Sequence, residues 1–381
     1  MVKKWVIVSL IFTSPSNNIR FGLLLLDILS NIVKFFIIHF IVESLTNLRG
    51  VLHMKHTSAA LTAGIYGIAI GDALGQSTQF KSYEKLQQNP VHEMLMGAYQ
   101  TLPGTWSDDT SMTLATLAAI AANATDATIP LEPVMNNFMA WLNDADFTPV
   151  HETFDVGNGT RQALRHYSET HNPRDAGSAD VKNNGNGALM RMLPVTLWAI
   201  HQLDEGQTLI NRPDLVDQII EVAELTHRHA RSTVACLLYS ALLTRLIEST
   251  GWTSQFLTQA VQDVQRIVQN RTELAGELPQ YNRLLDPAFY KLTAAQLNTS
   301  GYVVDTTESV WWLLNHFTDY HDLVLNAINL GGDTDTIASI AGGLAAIRGG
   351  LTSLPRDWQD QLLGRNVIAN TIHDALRSGK Y

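Results

Sequence analysis

The chain has 381 residues, 45% of them hydrophobic, which is enough for one large or two ordinary globular domains with a sizeable core. Its formal net charge is −10 with 26 basic residues, and this balance argues against a general nucleic-acid-binding protein, which needs a basic face to neutralise phosphates. The single cysteine, Cys236, excludes an internal disulfide and a thiolate metal cage, so we expect a reducing, cytoplasmic location.

Residues 1–53 form an apolar or amphipathic N-terminal extension. The opening MVKKWVIVSLIFTS has the basic start and short apolar run of a signal peptide, but no small-residue cleavage site follows. Residues 21–45 are long enough to span a bilayer. Four polar residues interrupt them: Asp27, Asn31, Lys34 and His39. This spacing fits an amphipathic or buried helix better than a lipid-facing span, so we expect no membrane association, although interfacial helices share the pattern.

Met54 is a second candidate for the first residue of the chain. It opens MKHTSAALTAGIYGIAIGDALGQ, whose polar lead and helical pattern are typical of a natural beginning. We therefore divide the chain into the extension, residues 1–53, and one domain, residues 54–381, with Met54 as the expected true start. The intact mass of the natively expressed protein tests this hypothesis.

The domain is predicted to be helical almost throughout. From Ser58 onward, apolar residues recur at steps of three and four, and convincing period-two segments are scarce. Residues 215–250 read as a continuous helical pattern, and the polar stretches 167–187 and 270–287 read as loops. The first helix carries glycines at helical spacing, which form a thin face for close backbone approach: Gly64, Gly67, Gly71 and Gly75. The fold class is therefore all-α.

Two acidic clusters precede two of these helices. The first is TWSDDTSM, residues 105–112, and the second is GGDTDTIASIAGG, residues 331–343. One explanation is helix capping, with Ser107 as N-cap and the following aspartates favoured by the helix dipole. The other is a metal site, because four converging carboxylates repel one another unless cations neutralise them. Hard cations such as Mg²⁺ or Mn²⁺ prefer such oxygen ligands, and a pair of them can polarise a water.

Other polar motifs lie between the two clusters. FDVGNGTRQAL, residues 154–164, and NNGNGALMRMLPV, residues 183–195, are Gly/Asn turns whose backbone N–H groups can hold phosphate or ribose oxygens, unless they are ordinary turns. In THRHA, His227 and His229 are two positions apart in the sequence, which on a helix places them on different faces. We therefore expect a single polar contact or surface exposure for each, not a two-histidine metal site.

Seven stretches in the same order carry a resemblance to a known family. They are GDALGQSTQF, WSDDTSM, FDVGNGTRQAL, NGNGALMRMLP, LTHRHARS, GYVVDTTESVWW and NLGGDTDTIASIAGGLAA. The chain resembles the ADP-ribosylglycohydrolase family from about Gly64 to the mid-350s, and not over residues 1–53. This resemblance implies a compact orthogonal helical bundle around a binuclear Mg²⁺ or Mn²⁺ centre, in a cleft that accepts ADP-ribose.

The resemblance also implies roles for particular residues. The implied metal ligands are Ser107, Asp108, Asp109, Asp333, Asp335 and Thr336. The implied ligand-binding residues are Gln79, Asn158, Gly159, Asn186, Gly187, His227, Tyr302, Gly331 and Gly332. Ser107 stands where the family usually has threonine and keeps the hydroxyl. Gln79 stands where many members have glutamate, and a neutral amide is a poor base.

The implied activity is metal-dependent removal of ADP-ribose from an ADP-ribosylated protein or small adduct, with ADP-ribosyl-arginine the preferred substrate. Water would attack C1″, with Asp108 or Asp335 steering it or taking its proton. Two alternatives stay open here. One is a non-catalytic ADP-ribose-binding relative, for which Gln79 is the best support. The other is an antitoxin-type protein that also blocks an ADP-ribosyltransferase partner, using residues 1–53.

Overall fold

The computed structural model describes residues 57–204, 206–249 and 251–381. The expectations for residues 1–53 and for Met54 fall outside these ranges. The α-helices are α1 Thr57–Gly75, α2 Tyr83–Gln88, α3 Asp108–Asn123, α4 Leu131–Asp144, α5 Asn158–Thr170, α6 Pro173–Ala176, α7 Leu193–His201, α8 Pro213–Glu224, α9 Ala230–Glu248, α10 Gln255–Val268, α11 Thr272–Glu277, α12 Val303–His316, α13 Tyr320–Ile328, α14 Thr334–Gly349, α15 Arg356–Gln361 and α16 Arg365–Arg377.

Short 3₁₀ turns connect several of these helices. They span Val181–Asn183, Leu189–Arg191, Leu209–Asn211, Leu278–Leu285, Phe289–Lys291, Ala294–Gln296 and Leu351–Ser353. Within the described ranges no β-strand occurs, and extended pairing is limited to the isolated bridges Ser178–His227 and Gly185–Tyr302. The prediction of an all-α fold is confirmed.

The glycine face of α1 packs directly on α14. A Cβ atom at Gly71 would overlap the carbonyl group of Ala338, and one at Gly75 would overlap the backbone of Asp335. The contact is reciprocal, because a Cβ at Gly342 would lie 2.8 Å from the carbonyl oxygen of Gly67. Only residues without a side chain allow two helix backbones to come this close. The glycine spacing seen in the sequence therefore sets the end of α1 against the start of α14.

Helices α1 and α9 lie in the core. Each is long and apolar enough to cross a membrane, but 78% of the α1 window and 72% of the α9 window are buried inside the protein. Their apolar side chains join one continuous core that includes the fully buried Trp106, Trp198 and Trp311. Their hydropathy is thus explained by packing.

Two local expectations are wrong, and the loop expected at 167–187 is wrong in part, because that stretch contains the end of α5 and the short α6. The pattern at 215–250 is not one helix: α8 ends at Glu224, α9 starts at Ala230, and the break contains His227. His229 is the N-cap of α9, and its Nδ1 accepts from the Arg231 N–H at 3.2 Å. The stretch 270–287, expected as a loop, forms α11 and a 3₁₀ turn, because Tyr281 and Leu284 are fully buried and tertiary packing overrides the polar composition.

Candidate active site

The start of α3 is held by a carboxylate from α1. Asp72 Oδ1 accepts from the Ser107 backbone N–H at 2.9 Å and hydroxyl at 2.8 Å. Its Oδ2 accepts from the Thr110 backbone N–H at 3.0 Å and hydroxyl at 2.6 Å. Burial raises the pKa of Asp72 to about 6, against the opposing effect of these hydrogen bonds.

The capping explanation holds for the positions of the two clusters but not for their hydrogen bonds. Ser107 occupies the N-cap position of α3 and Asp333 that of α14, but neither side chain makes a capping hydrogen bond. The orphan N–H groups of α3 are satisfied from another helix, by Asp72. The aspartates that follow are free for another purpose.

The two clusters meet. Thr336 at the start of α14 donates its hydroxyl to Asp109 Oδ2 at 3.3 Å, and Ser107 Oγ lies 3.5 Å from the same oxygen. All six residues predicted as metal ligands lie at these two adjoining helix starts. Four of them are carboxylates: Asp108, Asp109 and Asp335 are buried, and Asp333 is half-buried.

The electrostatics of this carboxylate cluster are strongly unfavourable without a counter-charge. Burial, and then repulsion among the carboxylates, raises the pKa of Asp108, Asp109 and Asp335 well above the usual range. Across the described ranges, none of the cluster's carboxylates takes part in an ion pair with a basic side chain. Asp109 Oδ1 and Asp335 Oδ1 are buried with no hydrogen-bond partner. Orphaned acidic oxygens without a protein cation fit the chemistry of hard divalent cations.

The cluster is looser than a preformed three-carboxylate cage. Among the residues that the structure describes, the one set of three His, Cys, Asp or Glu side chains with ligand atoms within 4.8 Å of one another is Asp319, His321 and Asp322. These are exposed, and Asp319 accepts from the Asp322 N–H as the N-cap of α13, so capping explains them. A cation at the buried cluster would draw on hydroxyl and amide oxygens as well as on carboxylates.

Asp155 is a fifth carboxylate of the site, and the sequence analysis missed it. Its Oδ2 accepts from Gln79 Nε2 at 2.7 Å, and its Oδ1 accepts from the Tyr99 hydroxyl at 2.6 Å. It also raises the pKa of Asp108, where it is the largest cause after burial. It was quoted within FDVGNG, but Asp before a glycine turn is ordinary loop chemistry, and its partners come from distant loops.

Two glutamines connect Asp155 with the cluster. Gln79, predicted to bind the ligand, is buried, and its Oε1 has no partner. Gln76, which the sequence analysis did not single out, donates from Nε2 to Asp335 Oδ2 at 2.7 Å and lies 3.4 Å from Asp155 Oδ2. Its Oε1 is also an orphan. Each of the two amides therefore has a buried carbonyl oxygen without a partner.

A cleft of about 400 Å³ opens onto the cluster. Its walls include nine predicted site residues: Gln79, Asp108, Asn158, Gly159, Asn186, Gly187, His227, Asp333 and Thr336. Asn186 bridges wall and cluster by donating to Asp333 Oδ2 at 2.6 Å. The first residues of α5, from Asn158, face the cleft, and no side chain caps them, which leaves backbone N–H groups suited to an anion.

Three residues predicted to bind the ligand do not line this cleft: Tyr302, Gly331 and Gly332. The Tyr302 hydroxyl accepts from Arg231 Nη1 at 2.9 Å. Both glycines have a φ of +75°, and the Gly332 carbonyl accepts from the Phe80 N–H at 2.7 Å, which ties the turn before α14 to the segment after α1. Their backbone role is to place Asp333 and Asp335.

Cleft size alone does not identify the site. A cavity of about 450 Å³ lies among α1, α9 and α14, lined by Trp252 and Arg348 and by no carboxylate. Arg348 donates there to the carbonyl oxygens of Phe317 and Thr318, each at 2.8 Å, so it serves the end of α12. Convergent carboxylates and orphaned polar atoms, not volume, single out the smaller cleft.

Comparisons with known proteins agree with this geometry. The profile of the ADP-ribosylglycohydrolase family matches residues 55–380. The chain is 28% identical over 307 residues to the ADP-ribosylarginine hydrolase Tri1 of Serratia proteamaculans, covering 80% of this chain and 76% of the relative. It is 28% identical over 302 residues to the ADP-ribosyl-[dinitrogen reductase] glycohydrolase of Rhodospirillum rubrum, covering 78% of this chain and 87% of the relative.

A solved structure shares the fold. It is described as an ADP-ribosylglycohydrolase-related protein complex, and it superposes with a TM-score of 0.66 at 24% identity, covering 85% of this chain and 99% of that one. The chain belongs to the ADP-ribosylglycohydrolase family, and it is a glycosidic-bond hydrolase.

Proposed function

We propose that the protein hydrolyses the bond between C1″ of an ADP-ribosyl group and an arginine side chain of a protein, with two divalent cations, Mg²⁺ or Mn²⁺, at the carboxylate cluster. The observation that carries this proposal is the convergence of uncompensated, buried carboxylates at the floor of a cleft whose walls offer backbone N–H groups. Relatives named for ADP-ribosylarginine and for an ADP-ribosylated protein support the choice of substrate.

The residues present suit the cations. The proposed ligands are the Ser107 and Thr336 hydroxyls with the carboxylates of Asp108, Asp109, Asp333 and Asp335. The Oδ1 atoms of Asp109 and Asp335 have no hydrogen-bond partner, so they are the oxygens most readily available to coordinate a cation. Bound cations would supply Lewis-acid polarisation of a water and of the ribose hydroxyls. The orphaned Gln79 Oε1 offers a further, neutral oxygen.

The chain's own groups then divide the remaining work. Asp108 lines the cleft, whereas Asp335 does not, so Asp108 is the better placed to take the proton of the attacking water. The water oxygen bonds to C1″ as the C1″–N bond breaks, and the electron pair leaves with the guanidine. Asp155, held by Tyr99 and Gln79 on the cleft wall, is the carboxylate that faces a cationic guanidinium.

Release of free ADP-ribose from an arginine-ADP-ribosylated protein tests the proposal. We expect release with Mg²⁺ or Mn²⁺, loss of release with EDTA, and recovery when the cation is restored. Serine-linked and acetyl-linked ADP-ribose are the matched substrates, and faster release from either would overturn the arginine assignment. Metal-dependent binding of ADP-ribose without release from any adduct would instead identify a non-catalytic binder.

A further inference from the structure

A buried arginine lies behind the wall of the cleft. Arg191 is 0% exposed and makes no ion pair in the part of the chain that the structure describes. Its guanidinium donates to the carbonyl oxygen of Val222, at 3.2 Å from both Nη atoms, and lies 4.9 Å from the Phe138 ring centroid. The negative end of the α8 dipole thus stands in for a counter-ion. A buried cation maintained at this cost calls for a reason.

The guanidinium is linked to the cleft by one hydroxyl. Arg191 Nη2 lies 2.8 Å from Thr226 Oγ1, and the same oxygen lies 2.9 Å from His227 Nδ1. A guanidinium only donates, so Thr226 accepts from Arg191. The Thr226 hydroxyl keeps its own proton to donate, and His227 Nδ1 lies within hydrogen-bond distance to accept it.

The other nitrogen of the imidazole faces the cleft. A Cβ atom at Gly159 would lie 2.8 Å from His227 Nε2, and one at Gly187 would lie 3.4 Å from it, so two wall glycines leave this nitrogen uncovered. His227 is buried, and burial together with the Arg191 charge lowers its pKa to about 3. The ring is therefore neutral near pH 7 and carries one proton.

We propose that Arg191 and Thr226 are positioning residues that fix His227 as the Nε2–H tautomer, so that a neutral imidazole donates a hydrogen bond to an oxygen of the ADP-ribosyl group. This inference rests on the proposed function only for the identity of that acceptor. A neutral donor suits a ribose hydroxyl or phosphate oxygen without competing with the cations for the carboxylate cluster. It also accounts for the break between α8 and α9, which places Thr226 and His227 outside a helix.

Nitrogen NMR of the imidazole ring tests the tautomer directly. The full-length protein is labelled with ¹⁵N-histidine, and the His227 signals among the 13 histidines are identified by their loss in His227→Asn. We expect a protonated Nε2 and a bare Nδ1 in the wild type. A proton on Nδ1 of the wild-type ring would overturn the proposal.

A threonine series tests the relay. Thr226→Val removes the hydroxyl at constant shape, and we expect a mixed tautomer and about five-fold weaker binding of ADP-ribose, the typical effect of one lost hydrogen bond. Thr226→Ser should restore both. Thr244→Val, which removes a buried hydroxyl that serves only the Ser240 carbonyl of its own helix, is the control. Unchanged tautomer and affinity in Thr226→Val would contradict the relay. A wild-type protein that binds ADP-ribose but hydrolyses no adduct would contradict the proposed function and leave the role of Arg191 and Thr226 intact.

Discussion

The two walls of the cleft carry buried charge in opposite ways. At the starts of α3 and α14, buried carboxylates crowd together, and two of their oxygens have no partner. Behind the part of the wall that His227 forms, Arg191 is buried without a carboxylate, and backbone carbonyls of α8 together with the Thr226 hydroxyl satisfy its Nη groups. Protein groups thus satisfy the Nη atoms of this cation, and only its Nε has no partner. The carboxylates of the negative wall have no basic partner in the described ranges, and we propose that exchangeable cations supply their counter-charge at neutral pH.

Removing one charge from the negative wall should have the largest effect. Asp335→Asn keeps the side-chain shape but removes the negative charge. In the wild type, Oδ2 of this carboxylate accepts from Gln76 and Oδ1 has no partner. We expect the rate of ADP-ribose release to fall more than about 100-fold, with weaker cation binding. Asp319→Asn, in the exposed acidic set at α13, is the control and should leave the rate unchanged. Near-normal turnover in Asp335→Asn would refute its assignment.

A substitution that moves the start of α14 without changing a charged residue should have the next largest effect. In Gly75→Ala, the added methyl group would overlap the backbone of Asp335, so α1 and α14 must separate. We expect the free energy of unfolding in urea to fall by about 1–3 kcal/mol, the usual cost of overpacking. Gly276→Ala is matched in chemistry and meets nothing within 4 Å. Equal effects of the two substitutions would show that close approach at Gly75 is unimportant.

The pH dependence of stability should separate the walls further. Burial raises the folded-state pKa of Asp72 to about 6, and burial with mutual repulsion raises the pKa values of Asp108 and Asp335 well above the unfolded value of about 3.9. The folded state therefore holds more protons, and metal-free stability falls as the pH rises from about 4 through these folded-state values. Added Mn²⁺ should raise Tm more at pH 8 than at pH 5. Metal-free stability that increases over this range would contradict the assignment.

A change at Gln79 gives the smallest and most specific test. In Gln79→Glu, a carboxylate replaces the amide that donates to Asp155 at 2.7 Å, so two anions face each other. We expect the metal-free protein to lose about 1–2 kcal/mol of stability, and Mn²⁺ to restore most of it. Gln255→Glu at the exposed first residue of α10 is the control. An equal loss with and without Mn²⁺ would place Gln79 outside the reach of the cations.

Local patterns predicted the helices and the clusters, but not the long-range partners. Helical periodicity and the glycine spacing of α1 are local, and they anticipated the contact face that the structure pairs with α14. Asp155 was passed over because its partners Tyr99 and Gln79 lie 56 and 76 positions away. The helix break at Thr226 was missed for the same reason, since Arg191 holds it from 35 positions upstream.

The most direct test of the central claim is a count of Mn²⁺ ions bound per chain, by equilibrium dialysis of the metal-free protein at pH 7.5. The account predicts two ions for the wild type and a loss of binding in Asp335→Asn, with Asp319→Asn unchanged. A folded wild type that binds no Mn²⁺ at millimolar concentration, or an Asp335→Asn protein that binds as many ions as the wild type, would contradict it.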